Sequence, residues 1–313
     1  MKYLVILTIF FLLDSTKLYT QITFDYSAVD LILEQFTKGK DNTEEIVAHP
    51  GYKHILEHSK KYSSSPITDN NLRNSLKLKS EGFNFSNIAK QKEKFLEMIK
   101  FLKANEGKII NEYAKLCLKY LPKDYKQEAR IFYIIGGYNG IAFDNKICMN
   151  IDFAQFKNNY PELLLYISHE LFHIGFEKYQ ALPNILAAKT VQDLKTIAMS
   201  TTMNEGLATL TPYHLRVQAK ELNDYDYKTL LDPDELNKKI KLFNSIMKYL
   251  DDNINKELVD SILGYVLGEC SKERLFYIVG CYMGLQIEDK YGADKIKELT
   301  KLGSEDFFRY FNE

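Results

Sequence analysis

Tyr160-Pro161-Glu162-Leu163-Leu164-Leu165-Tyr166-Ile167-Ser168-His169-Glu170-Leu171-Phe172-His173 is the stretch that organises this chain. Proline suits the first turn of a helix and a glutamate there complements the helix dipole, so the run predicts one long, largely buried helix. On that helix His169 and His173, four residues apart, share a face. Both imidazoles can reach one Zn²⁺ at about 2.0–2.1 Å, while Glu170 projects toward a water that it could deprotonate. Chance alone gives such a motif in on the order of one chain of this length in a hundred, so the flanks have to be weighed. Tyr166, Ile167, Leu171, Phe172, Ile174 and Gly175 carry no charge. Burying two histidines and a glutamate among them is costly unless a metal is there to hold.

A catalytic zinc takes three protein ligands and leaves one position open. The second informative stretch is Met203-Asn204-Glu205-Gly206-Leu207-Ala208-Thr209, where Glu205 lies 32 residues beyond His173 and opens an apolar helix with Leu207, Ala208 and Leu210. From the residues alone, Glu205 is either a third ligand or an acid of that helix's first turn.

His169-Glu170-x-x-His173 together with Asn204-Glu205-Gly206-Leu207-Ala208 resembles the gluzincin metallopeptidases. The Asn-Glu-Gly-x-Ala form looks most like the aminopeptidase N group and several uncharacterised bacterial families predicted to be zinc-dependent proteases. The likeness covers residues 131–311 in outline and is specific only at the two motifs. It implies His169, His173 and Glu205 as zinc ligands and Glu170 as general base. Tyr277-Ile278-Val279-Gly280 is similar to the Tyr-x-x-Gly of the aminopeptidase N group, with Val279 where a lysine is usual. The resemblance thus implies Tyr277 as the oxyanion donor. A core tyrosine is the bland alternative in a chain with 22 tyrosines, and His214 and Tyr282 are the rivals for the role. Two departures count. Thr209 stands where the thermolysin pattern has an aspartate, which leaves the partner that orients a ligand histidine unidentified. The Gly-x-Met-Glu-Asn motif that holds a free amine in the aminopeptidases is replaced by Gly136-Gly137-Tyr138-Asn139-Gly140, which has no acid, so an endopeptidase is expected rather than an aminopeptidase.

Met1 to Thr20 reads as a secretory signal: Lys2, an apolar run from Tyr3 to Leu13 broken only by Thr8, then a polar tail. The run is too short to span about 30 Å of hydrocarbon, so export to the periplasm or beyond, with no stable membrane span after cleavage, is expected. A chain of 313 residues with 45% hydrophobic content can bury a full core, and a net charge of -1 argues against a nucleic-acid partner. Residues 21–126 read as an N-terminal helical region of unreadable function, interrupted at Gly39, at Pro50-Gly51 and at Ser63-Ser64-Ser65-Pro66. His49, His54 and His58 lack a well-spaced third ligand, and the pair His54/His58 on a Lys-rich helix is expected to face solvent. Residues 127–313 read as the catalytic domain: a small antiparallel sheet over 131–152, the metal helix, a short helix over 187–199, the helix opened by Glu205 and a helical C-terminal lobe. The free edge of that sheet is expected to bind an extended peptide. The fold class is mainly α with one small sheet, an α+β arrangement. The four cysteines are expected to be free, buried thiols. The function expected is a zinc peptidase acting on peptides or proteins. A peptide-binding or sensing protein on the same scaffold is the alternative, disfavoured because no ligand and no base is missing.

Overall fold

The computed structural model describes residues 20–80, 82–156, 159–219 and 224–313. The leader expected at residues 1–20 lies outside them, apart from Thr20. The helical reading of the N-terminal half fails at its first residues, because Thr20–Asp25 forms strand β1. Thereafter the punctuation read from the sequence holds. Helix α1 (Ser27–Lys38) ends at Gly39 in a left-handed cap at φ 72°, and α2 (Thr43–Ala48) stops before Pro50. Helix α3 (Pro50–Tyr62) then starts on that proline. After α4 (Asp69–Leu76), helix α5 (Lys92–Lys108) passes through a π turn into α6 (Ala114–Leu118).

The sheet is mixed, not wholly antiparallel. Strands β2 (Gln127–Ile134), β3 (Gly140–Phe143) and β4 (Lys146–Asn150) join β1 in the order β1-β2-β4-β3. β1 and β4 both run parallel to β2, and only β3 and β4 form an antiparallel pair. The two-residue turn Asp144-Asn145, with φ of 49° and 58°, closes that hairpin as its residue types predict. Gly136 and Gly137 instead carry the chain past the place that β4 fills. Gly136 sits at φ 82°, where a Cβ would lie 2.4 Å from the Phe83 carbonyl oxygen. β3 is left as an edge strand.

The two faces of the sheet are covered by different helices. Phe132, Cys148 and Ile141 stand side by side in register on one face. Gly51 of α3 packs on Phe132 and Ile134 there, and the Cys148 thiol donates to the Gly51 carbonyl. Helix α7 (Tyr160–Phe176) covers the other face, where Gly140 meets Glu170.

A single helix, α8 (Val191–Ala219), replaces the short helix and separate Glu205 helix expected from the sequence. Its buried hydroxyls are satisfied within the helix: those of Thr202 and Thr211 donate to carbonyls four residues back. Helices α9 (Tyr225–Leu231), α10 (Pro233–Asp252), α11 (Asp260–Lys272), α12 (Leu275–Tyr291), α13 (Ala293–Leu302) and α14 (Ser304–Asn312) complete the lobe. α8 and α12 cross at two glycines, since a Cβ on Gly206 would lie 2.2 Å from the Gly280 carbonyl carbon. One apolar cluster runs from Ile22 of β1 to Phe307 of α14, so the chain before and after residue 126 shares a sheet and a core. All four cysteines are buried and free. No helix among the described residues is long and apolar enough to cross a membrane.

Candidate active site

A cleft of about 590 Å³ opens between the β3 edge, α7, α8 and the start of α12. His169 and His173 face it from α7, and their Nε2 atoms lie 3.0 Å apart. Glu205 Oε2 comes from α8 to within 3.5 Å of each. The three donor atoms lie within 4.8 Å of one another, and among the described residues no other group of three metal-binding side chains converges in this way. Tetrahedral zinc with bonds of about 2.0–2.1 Å would separate its donors by roughly 3.3 Å, so the spacing fits that ion. The donor chemistry fits as well. His173 Nδ1 lies 2.9 Å from Asn204 Oδ1, an acceptor, so Nδ1 carries a ring proton and Nε2 is the nitrogen turned inward for a metal. Burial acts against a charge on Glu205, but the two imidazoles outweigh it and hold the carboxyl below the usual carboxylate range. Burial acts against a charge on His173, but Glu205 foremost lifts that ring to about 9, so a metal entering at neutral pH would displace its Nε2 proton and meet two imidazole nitrogens and a carboxylate, a zinc set.

Glu170 is buried beside this cluster, with its carboxylate against Gly140 of the edge strand. Burial foremost, opposed by His173 and reinforced by Glu205, pushes its pKa up to about 7. A carboxylate with that affinity accepts and returns a proton near neutrality.

Tyr277 reaches the cleft from the first turn of α12, one turn before the glycine crossing. Its ring lies 6.3 Å from that of His169, nearly parallel. The Tyr277 ring also carries Arg274, whose guanidinium carbon sits 3.5 Å from the centroid. Arg274 is in turn clamped by Asp226, with Nε 3.0 Å from Oδ1 and Nη2 bonded to Oδ2. Arg274 takes a left-handed backbone at φ 56°, a conformation costing a non-glycine residue on the order of 1 kcal/mol. The negative charge of Glu205, then burial, push the Tyr277 phenol up, so its hydroxyl remains a protonated donor.

The chain belongs to the family described as "Putative zinc dependent peptidase (DUF5700)", whose model matches residues 43–313. No curated protein and no solved structure matches it. Zinc and peptide substrates are what this family suggests in general, and the His169–His173–Glu205 cluster, within the matched residues, could hold the metal.

The rivals for Tyr277 lie elsewhere. His214 pairs with Glu288 at 3.0 Å and is half exposed, and Tyr282 packs on Phe311. Neither lines the cleft. The three N-terminal histidines form no metal site. His49 caps α3 by accepting the Gly51 N–H at Nδ1, so its Nε2 proton goes to Ser27 Oγ, whose own proton goes to Asp25. Ser27 therefore has no base, despite the Ser-His-Asp proximity. His54 and His58 do not face solvent as expected: His54 stacks on Phe143 with centroids 3.7 Å apart, and His58 lines the cleft.

Four residues of the site escaped the sequence reading. Asn204 is the orienting partner that Thr209 could not supply, and it lay in plain sight beside Glu205. Arg216, buried, pairs with Glu162 of α7 and stacks 4.2 Å above the Tyr227 ring, closing the cleft floor. Arg274 and Asp226 had no local signal, because their meaning comes from a contact across 48 residues.

Proposed function

We propose that the protein is a zinc-dependent endopeptidase of gluzincin type, in which His169, His173 and Glu205 hold the ion. The observation that carries this reading is the convergence of the two imidazoles and Glu205 within 4.8 Å beside a buried carboxylate. Zinc bound there acidifies water and polarises a carbonyl. Glu170 takes the proton of the attacking water at its carboxylate and returns it to the leaving amine, a role suited to an affinity near pH 7. Tyr277 donates its hydroxyl proton toward the negative charge that develops on the scissile oxygen. The peptide lies as an added strand along the free edge of β3, whose Gly140, Ile141, Ala142 and Phe143 all line the cleft.

Internal cleavage is favoured because no acid stands where the aminopeptidases hold a free amine and two of the cleft's acids are already engaged, although Glu177 also lines it with an unpartnered Oε1. Asp226 is engaged by Arg274, and Asp224 accepts from Tyr166 and Gln155. Residues 136–140 contain no acid. Glu170→Gln tests the reading: the variant is expected to keep about one zinc per chain and the fold while losing hydrolysis of a blocked peptide library. Wild-type turnover by that variant would remove Glu170 as the base, and a strict need for a free α-amine would restore the aminopeptidase reading.

A further inference from the structure

Helix α3 belongs to the half of the chain whose function the sequence does not reveal, yet it reaches the cleft. His58 and Tyr62 line it with Tyr138 and Phe143. The ring of His58 lies 4.7 Å from that of Tyr62, 5.1 Å from Tyr138 and 6.0 Å from Phe143. Tyr62 and Tyr138 are only half-buried, so part of this aromatic surface faces open space. Burial foremost, with Lys61 adding to it, holds the His58 imidazole down to about 4, which leaves an uncharged ring at neutral pH.

The sheet decides what would meet these rings. Ile141 and Phe143 point to the face covered by α3, and Gly140 and Ala142 to the face covered by α7. A peptide added as a strand beside β3 alternates in the same way. One set of its side chains falls toward α7 and the histidine pair, and the alternate set falls toward α3. We propose that His58, Tyr62, Tyr138 and Phe143 form a substrate side-chain subsite for an aromatic or large aliphatic residue, at a position alternate to those facing α7. The occupant is apolar because the cationic place is taken. The Lys61 ammonium already lies 5.2 Å from the Tyr62 centroid and 5.4 Å from that of Phe143, so a basic side chain would meet a like charge. The N-terminal region would thus select substrate for chemistry carried by the rest of the chain.

The proposal rests on the peptidase reading with strand addition, and the test separates the two. The zinc-loaded protein is assayed on blocked peptides varied one position at a time. Wild type is expected to prefer Phe or Leu over Ala at one alternate position by about tenfold or more. Tyr62→Ala and Tyr138→Ala should flatten that preference to within about twofold while preferences elsewhere persist, with zinc content and thermal midpoint confirming the fold. The same peptides are titrated into the Glu170→Gln protein by fluorescence anisotropy. Ring-dependent binding without any wild-type hydrolysis would sink the peptidase reading and keep the subsite. Hydrolysis whose preferences neither variant alters, or a preference for charged residues at the affected position, would sink the subsite. Peptides neither bound nor cleaved would overturn both.

Discussion

Gly140 and Glu170 touch across the base of the cleft: a Cβ on Gly140 would lie 2.4 Å from Glu170 Oε1 and 2.9 Å from its carboxyl carbon. The edge strand that would hold the peptide and the carboxylate that would move the proton are therefore fitted to each other. In Gly140→Ala the carboxylate end must swing away, which a flexible side chain does cheaply, so fold and zinc content should persist. A shift of about 1 Å in a reacting group can cost 10²-fold, and kcat is expected to fall by roughly that factor. Steady-state kinetics beside elemental analysis checks it, and turnover within a few-fold of wild type would show that Glu170 works from more than one position.

Asn204 holds the His173 ring through Nδ1. Such partners fix the tautomer and the aim of a ligand, and losing one typically weakens metal binding by about 10–100-fold. Asn204→Ala should show that loss in a chelator competition, and Asn204→Asp, which keeps an acceptor, should recover most of it. Glu205→Ala should lose the metal far more severely. Equal zinc affinity in all three proteins would place the ion elsewhere.

Tyr277→Phe keeps the ring contacts with His169 and Arg274 and removes only the hydroxyl. A lost oxyanion donor lowers kcat by about 10²–10³. That loss, with unchanged zinc content and little change in KM, is the expected result. A near-normal kcat would reduce Tyr277 to a packing residue.

The crossing of α8 and α12 tolerates no side chain, because a Cβ on Gly280 would lie 2.1 Å from the Thr202 carbonyl oxygen. Backbone cannot step aside as a carboxylate can. Gly280→Ala should therefore destabilise the fold by about 1–3 kcal/mol or more, and it should disturb Tyr277 one turn away. Denaturant unfolding and kcat should both respond, and a variant as stable as wild type would mean that the helices part freely.

His54 is 1% exposed, and burial, with the Lys146 charge adding to it, holds its pKa down to about 3. The unfolded chain takes up that proton near pH 6.5, the folded one only near 3, so this stabilisation is complete above pH 6.5 and is lost as the pH falls toward 3. The slope from one such histidine is at most on the order of 1.4 kcal/mol per pH unit. Urea unfolding between pH 7 and 4 should show His54→Phe with a shallower decline than wild type. Parallel declines would mean that His54 is protonated in the folded state.

The sequence by itself determined what local periodicity can carry. Helical spacing put His169 and His173 on one face with Glu170 beside them. Gly39, Pro50 and Asp144-Asn145 announced their breaks through conformations that few other residues adopt. Glu205 was visible as a candidate because its neighbours matched a pattern. The tertiary structure alone decided that α8 runs unbroken through Ser200-Thr201-Thr202, since close packing against α12 overrides a locally weak helix signal. It alone decided the strand order, because β4 enters between β2 and β3 by a pairing that no turn residue encodes. The same holds for Asn204 on His173, for Arg274 under Tyr277 and for the rings of α3 in the cleft. Each is a contact between segments distant in sequence, and its partner is chosen by how helices and sheet pack rather than by any preference of the residues themselves.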